Sequence, residues 1–166
     1  LLPLVGVFTR WYAALRLAAE GRAGAEDAYR AAAVRLDGAG MPGVEQGLLP
    51  MALLCLRLGP DVEVDPDADW GPYRPWVEPL ALLRSGRRAD ARTALRELGE
   101  PPADLTYEAL CCLEAEAALE LGDRVVLERV HTRLRPAAGE LAAGTGLFTA
   151  GPVDRRLDAI SAALRG

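Results

Sequence analysis

His131 is the only histidine in this chain. A histidine works as a general base or metal ligand only beside a convergent nucleophile, acid or further ligand. The sequence offers none near it, so His131 reads as a core or groove residue on the second helix of a helical pair. Cys111 and Cys112 are adjacent. On a helix they point about 100° apart and are poorly placed to share a metal, and zinc would need two more ligands at matching spacing. Asp65-x-Asp67-x-Asp69 imitates the opening of a calcium loop, where alternating carboxylates face one cation. Trp70, however, stands where that loop needs glycine, and Trp76 where it needs a bidentate glutamate. Pro66 stiffens the segment further. It reads as a solvated acidic loop. A glycine-rich phosphate loop ending in Gly-Lys is missing. The expectation is no enzyme, no catalytic residue, no metal and no cofactor.

Trp70, Tyr73 and Trp76 form the one aromatic cluster that could recognise a partner. Two readings stand. A loop carrying them folds back and plugs a gap between helices, with the indole N–H groups reaching loop carbonyls. Alternatively they anchor a peptide or effector. The plug is preferred, because aromatics make up only 5% of the chain and a core needs them. The candidate binding residues are therefore Trp70, Tyr73, Trp76 and His131.

The elements that position these residues are helical. Trp76, Leu80 and Leu83 form one apolar stripe, and Ala91, Ala94, Leu95 and Leu98 another. Gly86 closes the first of these helices, because glycine enters the left-handed region without steric cost. Gly99 and Pro101-Pro102 end the second. Leu4, Phe8, Trp11, Leu15 and Ala18 predict an earlier helix ending at Gly21. Tyr29, Ala32, Ala33 and Leu36 predict the next, with Glu26 and Asp27 at its positive end, stopping at Gly38 to Pro42. A third runs from about Val44 to Leu58. It is apolar nearly all round, which places it at the centre. Residues 59–75 form the irregular loop. A helix over Leu105–Leu121 follows, with Asp104 or Thr106 as N-cap. Gly122-Asp123 makes a second tight turn into a helix through Val126, Val130 and Leu134, ending near Pro136. Ala143–Gly151 reads as a loop. Pro152 opens a last helix through Val153, Leu157, Ile160 and Leu164.

The composition is that of one folded domain: 51% hydrophobic and 26% charged over 166 residues. The net charge of −5, without a basic stripe, argues against gripping nucleic acid. The longest apolar run, Leu48–Leu58, contains Pro50 and Arg57 and is too short to cross a bilayer, so no membrane contact is expected. Three cysteines without framework spacing suggest reduced thiols and a cytoplasmic setting. All basic residues are Arg, Asn is missing and Ile160 is the lone isoleucine, which points to a GC-rich genome. The chain opens without Met, shows no signal peptide, and ends at a turn glycine after a helix with no capping partner. It is expected to be part of a longer repeat region, with a second copy of itself as one candidate partner.

Gly86-Arg-Arg-Ala-Asp-Ala91 resembles the glycine-to-alanine turn of a tetratricopeptide repeat, and Gly122 to Leu127 is similar with leucine in place of alanine. Gly86 and Gly122 lie 36 residues apart, within the roughly 34–47-residue period of helical-pair arrays. A longer pattern joins Phe8-x-x-Trp11, Tyr29 to Leu36 followed by Gly40-Met-Pro-Gly43, Leu53 to Leu58, Trp70 to Trp76, and Gly151-Pro-Val. It resembles the C-terminal helical-repeat region of large multidomain actinobacterial transcriptional regulators of the antibiotic-regulatory, ATPase-bearing kind. The resemblance implies an all-α, tetratricopeptide-like superhelix of about seven to eight helices in antiparallel pairs, spanning residues 1–166 as one domain. It implies a non-enzymatic interaction and regulatory module that holds a protein segment or another domain of its own chain. An effector-sensing domain with a small-molecule pocket between helical pairs is the alternative.

Overall fold

The computed structural model describes residues 3–36 and 45–166. Among them run α1 (Pro3–Ala19), α2 (Ala25–Ala33), α3 (Leu48–Leu56), α4 (Arg74–Arg84), α5 (Arg88–Glu97), α6 (Tyr107–Leu121), α7 (Arg124–Leu134), β1 (Leu141–Gly144), β2 (Phe148–Pro152) and α8 (Val153–Arg165). The chain is mostly helical and belongs to the all-α class, with one small hairpin. The expected helix stop at Gly38 to Pro42 and the expected start at Val44 lie outside the described residues.

The paired region is built as the spacing predicts. Gly86 has φ 73° and Gly122 has φ 63°, and each follows the end of a helix, α4 and α6. Ala91 and Leu95 on α5 are fully buried. Asp123 caps α7 by accepting the Val126 amide. Across the Gly122-Asp123 turn, Glu114 on α6 receives Arg129 and Arg133 from α7, so the chain doubles back on itself. Contacts link α4 with α5 and α6, and α6 with α7 and α8, while α7 also meets α8. Thr106, not Asp104, holds the N-cap position of α6. The Thr106 amide and hydroxyl both donate to Asp104 Oδ1, at 2.8 and 2.6 Å.

Four expectations are corrected. First, the centre of the molecule is α6 rather than α3. α6 meets α4, α5, α7, α8 and both strands, and eleven of its fifteen residues are buried. Second, 143–151 is largely a hairpin. Thr145 and Gly146 both have positive φ (54° and 69°), the signature of a type I′ turn, and the Leu147 amide closes it on Gly144 at 2.9 Å. Small residues hid the strands, because Ala142, Ala143 and Gly144 show no β-branched alternation. Third, the core stripe of α1 is Val7, Trp11, Ala14 and Ala18, and Phe8 is 41% exposed. Fourth, the irregular stretch ends earlier than residue 75: Gly71–Tyr73 is a 3-10 turn and α4 begins at Arg74. Pro152 sits one residue outside α8, as its N-cap.

The hairpin ties the two halves together. β2 packs on α1 and α3 as well as on α6. Phe148 is fully buried, meets the Tyr73 ring edge-on at 6.1 Å, and lies over Gly144, where a Cβ would strike its ring. Among the described residues no helix is long and apolar enough to cross a membrane.

Candidate functional site

The long loop crosses the start of α3 backbone to backbone. A Cβ on Gly47 would sit 2.3 Å from the Trp70 carbonyl oxygen, and one on Gly71 would sit 2.7 Å from that of Gln46. Both glycines have positive φ, 80° and 48°. Only glycine meets both demands at such a crossing. The loop is braced internally as well. Asp65 Oδ1 accepts the Asp67 amide at 2.9 Å, and Asp69 Oδ1 accepts the Gly71 amide at 3.0 Å. The carboxylates that resembled a calcium motif thus bend their own backbone. Among the described residues no group of three His, Cys, Asp or Glu side chains is placed to hold a metal.

The aromatic residues separate. Trp70 is buried, and its indole N–H donates to the Asp65 carbonyl at 3.0 Å. Tyr73 faces Phe148. Trp76 is half-buried on α4, and its indole nitrogen is buried without a partner among the described residues. Trp70 thus braces the loop internally, and Tyr73 ties its end to the hairpin through Phe148. His131 lies elsewhere, half-buried on α7, with Nε2 3.3 Å from the Ser161 hydroxyl of α8. It joins two helices, as a packing histidine would.

What the loop creates is an open recess against α3, of about 640 Å³. Leu49, Leu53, Val64 and Trp70 supply apolar wall. Five of its twelve lining residues are charged: Arg30, Arg57, Glu63, Asp65 and Arg84. Arg30 and Arg57 both bond Glu26, whose carboxyl the hydrogen bonds of Arg57 and then Arg30 hold below the usual range. Arg84 reaches back to Glu120 of α6 and out to Asp61. Another recess, of about 780 Å³, lies between the α1–α2 turn and β2. Its lining mixes glycine and alanine with the charged Glu20, Arg22, Glu26 and Arg155.

The cysteines are unsuited to nucleophilic work. All three are buried and free, and burial pushes the Cys55, Cys111 and Cys112 thiols upward, Cys112 to about 12. A neutral thiol is a poor nucleophile. The sequence reading did not pick out Arg30, Leu49, Leu53 or Val64 as recess residues, nor the Gly47–Gly71 crossing. Arg57, a lone charge inside the apolar run, was the available signal. No family model matches the chain, and no curated protein or solved structure shows significant similarity to it.

Proposed function

We propose that this chain is a non-enzymatic, cytoplasmic interaction and regulatory module, the tetratricopeptide-like repeat region of a transcriptional regulator. Its binding face is the recess between α3 and the long loop, and the occupant is a protein segment. The observation that carries the reading is the mixed wall of that recess. An open surface with apolar side chains inside and charges of both signs at its edge suits a peptide, which presents both kinds of group. The order of helix contacts from α4 to α8, each helix touching the next and, along α4, α6 and α8, the next but one, is what a stack of helical pairs produces, and it supports the superhelical reading. The same contacts place the hairpin against α6, so the chain itself fills space that an open array would offer to a ligand. The negative net charge supports a protein rather than nucleic acid as partner.

The test is an array of overlapping peptides tiling a regulator reading frame that contains this chain, probed with the labelled domain and with Leu53→Arg. Spots bound by the parent and lost in Leu53→Arg support the proposal. An array with no bound spots, or spots indifferent to Leu53→Arg, refutes it. One observation favours a small effector instead: about 640 Å³ lies within the usual range of small-molecule pockets, roughly 300–1,000 Å³.

A further inference from the structure

Arg30 of α2 and Arg57, just past α3, address the two oxygens of one carboxylate. Arg30 Nη2 is 2.9 Å from Glu26 Oε1, and Arg57 Nη2 is 2.5 Å from Oε2. Both arginine side chains are about half exposed, 54% and 48%, and both line the recess. Two cations at the recess therefore share one anion, Glu26, which itself lines the neighbouring recess. Among the described residues no other carboxylate forms an ion pair with either. Each guanidinium carries five N–H donors in a fixed fork, so donors remain after Glu26 is served. Leu53, Val64 and Trp70 lie in the same recess, and it also carries Glu63 and Asp65 from the long loop.

We infer that the recess selects a peptide segment in which an acidic side chain stands next to an apolar one, the carboxylate entering between Arg30 and Arg57 and the apolar group resting on Leu53, Val64 and Trp70. This rests on the recess being the binding face. The incoming carboxylate restores charge balance at the arginine pair through charge-assisted hydrogen bonds. Glu63 and Asp65 repel an acid at their own positions, which orients the segment and favours a neutral or basic residue there.

The experiment uses a dye-labelled, capped peptide with adjacent glutamate and leucine. Its glutamine counterpart and 4-phenylbutyrate, an apolar acid without a peptide, complete the set. Peptide affinity is read by fluorescence anisotropy, and 4-phenylbutyrate binding by isothermal titration calorimetry. The glutamate peptide is expected to bind roughly tenfold tighter than the glutamine peptide, and the gap should shrink with salt. Arg57→Gln should narrow the gap between the two peptides severalfold. Glu26→Gln should tighten the glutamate peptide, a gain that misfolding cannot imitate. Equal binding of both peptides, with both lost in Leu53→Arg, overturns the charge selection while the recess stands. If neither peptide nor 4-phenylbutyrate binds, the recess itself is not the binding face. If 4-phenylbutyrate alone binds, the peptide occupant is wrong and a small organic acid takes its place.

Discussion

α3 and α6 invert what their compositions suggest. α3 reads Leu48-Leu-Pro-Met-Ala-Leu-Leu-Cys-Leu56, without a single charge, yet Leu49, Leu53 and Leu56 remain half-exposed. α6 carries four glutamates, yet it is the most enclosed helix described. The difference lies in what meets each of them. Glu114 takes Arg129 and Arg133, Glu116 takes Arg156, and Glu120 takes Arg84. A buried charge is tolerated when it is paired and hydrogen-bonded. α3 meets a loop instead of a helix along its Leu49–Leu53 side, and the recess lies between them. Apolar composition therefore marks a surface that needs cover, and here the cover is incomplete at the place proposed for a ligand.

The sharpest way to break this comparison is at Glu116 and Arg156, which are 1% and 5% exposed. Arg156 also donates to the Leu58 carbonyl at 2.9 Å, so it fastens the end of α3 to α8. Arg156→Ala should cost about 3–5 kcal/mol, because it strands a buried carboxylate. Glu116→Leu combined with Arg156→Leu should recover most of that loss. Urea unfolding of the parent and the two variants checks it. A single-variant cost below about 1 kcal/mol would mean that the pair is solvated and α6 is not held by its charges.

On the α3 side, the comparable lock is the glycine crossing. Gly47→Ala drives a Cβ into the Trp70 carbonyl and forces a side chain into the left-handed region. The expected loss is roughly 2–4 kcal/mol by thermal or urea melt. Gly86→Ala has the same kind of φ but open space around the new methyl, so about 1 kcal/mol is expected. Equal losses at the two sites would show that the backbones do not touch at the crossing. Between these lies Ala91, fully buried on α5. Ala91→Leu should cost about 1–3 kcal/mol by overpacking, and an unchanged melt would mean that α5 faces the other way.

The parts of the fold that were legible in the sequence are those governed by local rules. Gly86, Gly122 and Asp123 act within one turn of chain, and their roles follow from backbone sterics and capping. The hub could not be read in the same way. Nothing local to Glu114 or Glu116 says that arginines from α7 and α8 will reach them, and isolated glutamates on a helix ordinarily face water. The hairpin was hidden because β1 is built from small residues, Ala142, Ala143 and Gly144, rather than from a run of β-branched ones. As for the site, Trp70 was found because a tryptophan among prolines is conspicuous. Arg30 and Arg57 were not, because their significance depends on Glu26 lying between them.

The smallest effect expected is electrostatic. Burial pushes the Asp123 carboxyl upward, but the Arg96 hydrogen bond, the Val126 amide and the charges of Arg96 and Arg92 outweigh it, so its pKa lies below the ordinary 3.8. The folded-state pKa is depressed, so this contribution is present above pH 3.8 and is lost as pH falls through the folded value. Asp123→Asn should therefore flatten the acid limb of a stability-versus-pH curve. An unchanged acid limb would remove Asp123 from the set of paired carboxylates around α6.

The division between a helix that holds the fold and a helix that meets a ligand is tested most directly by hydrogen–deuterium exchange. The chain would be compared alone and saturated with the capped glutamate–leucine peptide. New protection is expected over residues 49–57 and 62–70, with α6 equally slow in both states. Protection that appears on α1 or α8 while 49–57 stays unchanged would contradict the assignment of the recess as the binding face.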